Sequence, residues 1–129
     1  MPSPVLDASA VLAAIFDEAG SDQVAAHLPG GAISAVNFAE VLAKLRDLGM
    51  PDATVEAIVE DLQLTILPFE AVHARDSARL RPLTRAAGLS LGDRACLATA
   101  RLQGATALTA DRAWARLPAE TGVRIELVR

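Results

Sequence analysis

Two carboxylates that directly follow apolar stretches are the side chains of this 129-residue sequence most suited to chemistry. Asp7 ends "SPVLD" and Asp111 follows "ATALTA", in each case where a predicted strand gives way to a predicted helix. Ligand sites in parallel sheets form beyond the carboxyl ends of the strands. Because an ionised carboxylate is costly to bury unless it is paired, hydrogen-bonded or bound to metal, these two positions indicate a binding site.

Both aspartates also have an ordinary structural explanation. Aspartate is favoured just before a helix, where it accepts a hydrogen bond from a free N–H group of the first turn. Ser9 could cap the first helix instead, or donate to the Asp7 carboxylate, and Thr109 is the hydroxyl nearest in sequence to Asp111. Two acids at strand ends in one chain nevertheless favour a shared site over independent caps.

A third acid, Asp93, lies near the start of the helix predicted in "LSLGDRACLATAR". Ser90 precedes it by three residues, which is the spacing of a capping box. At about 100° per residue, Asp93 projects with Leu97 and Ala100 toward a packed side, away from the polar edge that contains Arg94. A carboxylate in that position needs a partner or a metal ion.

Periodicity alone predicts that a fourth acid, Glu40, is a solvated surface residue. The apolar residues of its helix lie on the opposite face, and Glu40 falls beside Lys44 and Asp47. Glu40 and Lys44 have the spacing of an ordinary i, i+4 ion pair. Glu40 has a functional role only if this face closes a cleft, in which case Asn37, one turn earlier, would lie close to it.

The sequence lacks several other patterns of catalytic or binding residues. His27 and His73 are isolated, and neither has a cysteine or histidine at the spacing of a zinc site. Cys96 is the single cysteine, which excludes an internal disulfide, fits a reducing compartment and favours a small core residue. No nearby histidine–acid pair indicates a thiol or serine triad, and "PGGA" lacks the lysine of a phosphate-binding loop.

Composition limits the classes of protein further. Hydrophobic residues make up 52% of the chain, which is enough for one folded domain of ordinary size. No uncharged stretch reaches the roughly 18 residues that a membrane helix needs, and no secretory signal is apparent, so we expect a soluble cytoplasmic protein without membrane contact. The net charge of −4 argues against strong non-specific nucleic-acid binding. Four aromatic residues, three phenylalanines and one tryptophan, are few for a base-stacking platform.

The charges are unevenly distributed along the chain. Residues 1–61 contain 10 acids and only Lys44 and Arg46 as bases, whereas residues 62–129 contain 6 acids and 10 arginines. Guanidinium groups suit bidentate phosphate contacts, although a GC-rich genome would produce the same bias toward arginine. The sequence is therefore compatible with a basic rim beside an acidic cleft.

Short β-type stretches alternate with helical ones along the whole chain. This alternation predicts an α/β fold, a parallel sheet with helices on both faces. Strands are predicted in "SPVLD", "GGAIS", "LTILPF", "ATALTA" and "VRIELV". Helices are predicted over 8–18, 22–28, 34–48, 51–62, 70–87, 90–103 and 111–117, with Pro82 kinking or splitting the fifth.

Four stretches in this order, "VLDASAVLA", "SAVNFAEVLAKL", "LSLGDRACLATA" and "ALTADRAW", resemble the PIN-domain nucleases, in particular the VapC-type toxins of toxin–antitoxin pairs. The resemblance covers nearly the whole chain. It implies a single PIN domain over residues 1–129, built as a three-layer α/β/α sandwich around a central, mostly parallel sheet. It also implies that acids from distant parts of the chain converge at one end of that sheet.

The same resemblance assigns roles to individual residues. It implies that the catalytic residues and metal ligands are Asp7, Glu40, Asp93 and Asp111. Ser9, Asn37 and Thr109 would support these acids or position the substrate. Arg94 and Arg112 are candidates for phosphate contacts, with surface charge balance as the alternative for each. Some relatives carry a further acid shortly after the last one, but this chain continues with "RAW", which does not support a full second metal site.

The chemistry expected of such a site is hydrolysis of RNA phosphodiesters. Oxygen ligands without cysteine or histidine select Mg²⁺, with Mn²⁺ as a substitute. The ion would activate a water for in-line attack on phosphorus and leave a 5′-phosphate and a 3′-hydroxyl. The resemblance further implies a cognate antitoxin protein, often with an arginine entering the acidic cleft, and a homodimer.

Two alternatives stay open at this stage. One is another Mg²⁺-dependent phosphoryl-transfer enzyme that acts like a phosphatase. "DAS" after the first strand lacks the second acid of the haloacid-dehalogenase pattern, and Lys44 lies mid-helix, where a receiver-type lysine would not. The other is a non-catalytic PIN-fold module whose acidic cleft binds a basic peptide.

Overall fold

The computed structural model describes residues 2–129, and a sheet of five short parallel strands forms its centre. In spatial order the strands are β3, β2, β1, β4 and β5, with β1 in the middle. The strands are β1 (Val5–Leu6), β2 (Ala32–Ser34), β3 (Thr65–Leu67), β4 (Ala107–Thr109) and β5 (Ile125–Leu127). All four pairings between neighbouring strands are parallel, as the alternation of strands and helices predicts.

Seven α-helices connect and cover these strands in the described residues 2–129. They are α1 (Ala8–Ile15), α2 (Ser21–Ala25), α3 (Ala35–Asp47), α4 (Asp52–Leu62), α5 (Ala71–Arg79), α6 (Arg81–Thr84) and α7 (Leu91–Gln103). Two 3₁₀ helices, Arg112–Arg116 and Ala119–Thr121, lie between β4 and β5. None of the helices in this part of the chain is long and apolar enough to cross a lipid bilayer.

Side chains that alternate along the strands build two separate cores, one on each face of the sheet. Leu6, Ile33 and Leu108 pack on one face with residues of α1, α2, α3 and α4. Val5, Ala32 and Ala107 pack on the other face with α7, Leu80 and Trp114. The sheet is therefore covered on both faces, which confirms the predicted three-layer α/β/α sandwich.

Local signals in the sequence account for most of the helix boundaries. Ser34 accepts a hydrogen bond from the Val36 amide (3.2 Å) and begins α3 as predicted. The helix predicted over 70–87 is divided at Leu80, two residues before Pro82, into α5 and α6. The first helix ends at Ile15 rather than at residue 18, because Asp17 takes a positive φ of 53° that a helix cannot contain. The helix predicted over 22–28 covers Ser21–Ala25.

The order of the strands reverses beside the central strand. From β1 the chain moves outward to β2 and β3, then returns to β4 on the other side of β1. In open α/β sheets, ligands bind where the strand order reverses, beyond the carboxyl ends of the strands. Asp7 directly follows β1 and Asp111 lies two residues beyond β4, so both acids belong to the two strands that border this point.

Candidate active site

Asp7 is a buried carboxylate whose two oxygens both accept hydrogen bonds from the protein. Its exposed fraction is 3%. Oδ1 accepts from the Ser9 hydroxyl (2.7 Å) and from the Ala10 amide (2.9 Å), and Oδ2 accepts from the Thr109 hydroxyl (2.5 Å). The amide contact caps α1, which confirms the capping explanation for this residue, and the shared site stays a prediction.

The hydroxyls of Ser9 and Thr109 join the ends of β1 and β4. The Ser9 hydroxyl accepts from the Ala110 amide (3.0 Å), and the Thr109 hydroxyl accepts from the Asp111 amide (3.0 Å). The two hydroxyl oxygens lie 3.2 Å apart, although each proton is already donated to Asp7. This network connects residues about a hundred positions apart in the sequence and fixes the orientation of the Asp7 carboxylate.

The environment of Asp7 opposes ionisation. The pKa of Asp7 is raised to about 6: burial has the largest effect and the negative charge of Asp93 adds to it, while hydrogen bonds from Thr109, Ala10 and Ser9 offset part of the rise. Three donors therefore do not compensate for the loss of solvent around this carboxylate. A nearby cation would favour the ionised form and lower the pKa again.

Glu40 lies across from the start of α7 and is held there by Asn37. The Asn37 amide nitrogen donates both to Glu40 Oε1 (2.9 Å) and to the Gly92 carbonyl (2.9 Å). Asn37 is buried, with 1% exposed, whereas Glu40 is exposed as the periodicity predicts. The partner of Glu40 is thus Asn37, one turn earlier and next to α7, rather than the i, i+4 residue Lys44 that the sequence pattern indicates.

Asp93 and Asp111 each cap a helix with one carboxylate oxygen. Asp93 Oδ2 accepts from the Ser90 amide (2.9 Å), and the Ser90 hydroxyl accepts from the Asp93 amide (3.2 Å), which confirms the predicted capping box. Asp111 Oδ1 accepts from the Ala113 amide (2.9 Å) and begins the first 3₁₀ helix. The described residues donate no hydrogen bond to the other oxygen of either carboxylate.

Cys96 lies on α7, is fully buried, and is close enough to three of the acids to be affected by their charges. Burial raises the pKa of the Cys96 thiol well above its usual range, and the negative charges of Asp7, Asp93 and Glu40 raise it further. These three acids therefore lie in one region of the molecule. Within residues 2–129, however, no group of three or more acidic, histidine or cysteine side chains is close enough together to hold a metal ion by itself.

The two arginines predicted to contact phosphate have different surroundings. Arg94 is half-buried, and its Nη1 donates to the Ser77 carbonyl of α5 (3.3 Å), so this side chain connects α7 to α5. Arg112 is exposed and directly follows Asp111. Arg112 is therefore the better placed of the two for a phosphate, and both roles stay predictions.

Sequence reasoning missed two residues that the structure makes prominent. Gly92 lies directly against the Glu40 carboxyl; a glycine within a helical pattern was the available signal. Asp76 is buried on α5 and bound by Arg79 and by Arg101, which lies near the end of α7. The sequence separation of 25 residues between Asp76 and Arg101 gives no local pattern to detect.

Comparisons with known proteins agree with this architecture. The family model described as "PIN domain" matches residues 5–120. No curated protein sequence matches the chain.

Among solved structures, a toxin–antitoxin complex from Klebsiella pneumoniae is similar, with a TM-score of 0.74, 22% identity and 98% of each chain covered. VapBC2 from Rickettsia felis, bound to a DNA fragment from its promoter, has a TM-score of 0.74 at 19% identity, over 95% of this chain and 96% of the other. DNA-bound VapBC from Salmonella typhimurium has a TM-score of 0.73 at 20% identity over the full length of both chains. At these identities the likeness establishes the fold.

Proposed function

The chain belongs to the PIN domain family, and on that premise we propose that it is a Mg²⁺-dependent endoribonuclease acting as the toxin of a toxin–antitoxin pair. The observation that carries the proposal is Asp7. This carboxylate is buried at the point where the strand order reverses, accepts three hydrogen bonds, and still has a pKa raised to about 6. A bound cation is the missing partner that would stabilise its ionised form.

The residues of the site fit a hard divalent cation. Asp7, Asp93, Asp111 and Glu40 offer only oxygen ligands, which Mg²⁺ and Mn²⁺ prefer. The carboxylate oxygens of Asp93 and Asp111 that do not cap helices are available to the ion. Asn37 Oδ1 is buried without a partner among the described residues, so it can accept from an ordered water. Mg²⁺ usually binds through one or two carboxylates plus waters and substrate phosphates, so a preassembled cage of three ligands is not required.

When bound, the ion would supply positive charge at the scissile phosphate and lower the pKa of a water. The chain's own residues do the positioning. Ser9 and Thr109 hold both oxygens of Asp7 in one orientation, and Asn37 holds Oε1 of Glu40. Because Glu40 is exposed and only one of its oxygens is held, its carboxylate can also accept a proton from a water in the cleft. Arg112 is available to pair with a neighbouring phosphate.

The toxin role rests on the family and on the similar solved structures. The similar solved structures include toxin–antitoxin complexes. An antitoxin that presents an arginine would supply the cation that Asp7 lacks and would block the site. We further propose that the protein acts in the cytoplasm and that it forms a homodimer. Light scattering of the purified chain would test the homodimer.

A nuclease assay on the purified chain tests the proposed activity. Single-stranded RNA and DNA of the same sequence are incubated with Mg²⁺, with Mn²⁺ or with chelator, using the wild type and Asp93→Asn. We expect metal-dependent cleavage of RNA that Asp93→Asn removes while the protein stays folded. Retained cleavage by folded Asp93→Asn would contradict the assignment. Hydrolysis of a generic phosphate monoester without RNA cleavage would favour the phosphatase alternative.

Expression in cells tests the toxin role. The wild-type chain produced without a partner is expected to arrest growth, and Asp7→Asn produced at the same level is not. Unimpaired growth of cells that produce the wild-type chain alone would favour the non-catalytic module.

A further inference from the structure

Gly92, the second residue of α7, has the Glu40 carboxyl directly against its Cα. A Cβ atom built at residue 92 would lie 2.7 Å from Cδ and Oε1 of Glu40 and closer still to Oε2. These three carboxyl atoms are the nearest atoms such a Cβ would meet. Any side chain at residue 92 therefore occupies the space that the Glu40 carboxyl now fills.

The same contact is reinforced by Asn37. Its amide nitrogen donates to Glu40 Oε1 and to the Gly92 carbonyl, each at 2.9 Å. Both acceptors are satisfied by one buried amide group, so the side chain of α3 and the backbone of α7 are held in a fixed relation. The glycine and the asparagine together define where the Glu40 carboxyl lies, one residue from Asp93.

Backbone conformation does not explain the glycine. Gly92 is absent from the residues with positive φ, unlike Gly88 (73°) and Gly104 (64°), which flank α7. In a helix, alanine is favoured over glycine by about 1 kcal/mol. Close approach of the Glu40 carboxyl is the remaining reason for a residue without a side chain.

We propose that Gly92 is a positioning residue that lets the Glu40 carboxyl lie on the first turn of α7 beside Asp93, where the Asn37 amide holds it. Only the catalytic consequence of this inference rests on the proposed nuclease function. Glu40 is exposed, so a methyl group at residue 92 would move its flexible carboxyl into solvent rather than disrupt the core. Gly92→Ala is therefore expected to change the position of Glu40 much more than the stability of the fold.

The side-chain amide signals of Asn37 in a ¹⁵N–¹H spectrum report this position directly. We expect Gly92→Ala to shift them, and Glu40→Ala to shift them in the same direction. Gly88→Ala is the matched control, because a Cβ there meets nothing within 4 Å while the positive φ strains the backbone. Gly88→Ala should lower the melting temperature and leave the Asn37 signals in place, which is the opposite of the result for Gly92→Ala.

Calorimetric titration with Mn²⁺ supplies a second readout. Loss of a supporting contact typically weakens metal binding or activity by about 10–100-fold, and we expect this for Gly92→Ala and for Glu40→Ala. The double variant should be no weaker than Glu40→Ala alone, since both changes act through one carboxylate. Glu40→Asp, which shortens the side chain by one carbon and leaves α7 untouched, should show the same loss if Gly92→Ala does not fold.

Two results would overturn the inference: wild-type Asn37 signals in Gly92→Ala, or losses of Mn²⁺ affinity that add in the double variant. A wild type that binds no Mn²⁺ or cleaves no RNA counts against the proposed function instead, and the Asn37 signals then decide the role of Gly92.

Discussion

Two buried aspartates, Asp7 and Asp76, are 3% and 6% exposed and have opposite surroundings. Asp7, after the central strand, is bound by two hydroxyls and one amide, all uncharged. Asp76, on α5, is bound by two guanidinium groups: Arg101 Nη2 lies 2.6 Å from Oδ1, and Arg79 Nε lies 3.0 Å from it. Arg79 also donates to the Thr121 carbonyl (3.0 Å), which ties α5 to the segment before β5.

This contrast separates a site from a structural ion pair. Burial alone raises the pKa of both carboxyls, but hydrogen bonds and charge from Arg101 and Arg79 bring the pKa of Asp76 below its usual value. None of the described residues places a positively charged group against Asp7, and the pKa of Asp7 is raised to about 6. Burial of an acid is therefore no sign of function by itself, and burial without a neighbouring cation is what distinguishes Asp7 as a candidate site residue.

The largest expected effect is on catalysis by Asp7→Asn. We expect RNA cleavage to fall by about 1000-fold, equivalent to about 4 kcal/mol, because the amide cannot act as an anionic ligand. Metal-free stability near neutral pH should not fall by more than about 1 kcal/mol, since the ionised carboxylate is itself unfavourable there. Single-turnover cleavage and urea unfolding measure the two quantities. A large loss of stability with cleavage intact would make Asp7 a structural residue like Asp76.

Asp76→Asn should give the converse result. The change leaves Arg79 and Arg101 without their anion. Because both arginines are more than a third exposed, we expect a loss of about 2 kcal/mol in the free energy of unfolding, less than for a fully buried pair. RNA cleavage at saturating Mg²⁺ should stay within a few-fold of the wild type. Asp61→Asn, at an exposed position on α4, is the control and should change neither quantity.

Thr109→Val tests the hydrogen bonds that orient Asp7. The change keeps the shape of a fully buried side chain and removes the donor to Asp7 Oδ2 and the acceptor of the Asp111 amide. We expect a loss of about 1–2 kcal/mol in the free energy of unfolding. Thr99→Val is the matched control, since the Thr99 hydroxyl is buried without a partner among the described residues and its removal should cost nothing. Equal effects of the two variants in urea unfolding would contradict the role of Thr109.

The smallest effect is a pH dependence of metal binding. Because Asp7 has a pKa of about 6 and must lose its proton to bind a cation, Mn²⁺ affinity should weaken by about tenfold per pH unit below 6. In the metal-free protein, stability depends on pH in the opposite direction. Asp7 contributes to stability below its unfolded pKa, and this contribution is lost as pH rises through about 6. Calorimetric titrations with Mn²⁺ at several pH values should show the loss of affinity below pH 6 in the wild type and no such pH dependence in Asp7→Asn.

Much of the fold could be predicted because its signals are local. The apolar stretch that ends at Asp7, the cap at Ser34, the capping box from Ser90 to Asp93 and the break near Pro82 each depend on a few neighbouring residues. Strand–helix alternation then restricts the topology to a parallel sheet with two helical layers.

The site was less predictable because its contacts are not local. Asp7 and Asp111 stand out by following strands, but periodicity places Glu40 on a solvated face, and it is exposed there. Only the packing of α3 against α7 shows that this face lies beside Asp93. The contact between Asn37 and the Gly92 carbonyl spans 55 residues, and no spacing rule reports such a contact.

The hydrogen bond between Thr109 and Asp7 spans 102 residues, so this corner of the site can form only after residue 109 has been synthesised. A ribosome that stops before β4 releases a chain in which Asp7 lacks its closest donor and β1 lacks one of its two neighbouring strands. On the proposed toxin function, fragments from interrupted translation are therefore expected to be harmless to the cell that makes them. On the proposed nuclease function, this order of assembly would also delay the onset of activity until β4 has been made.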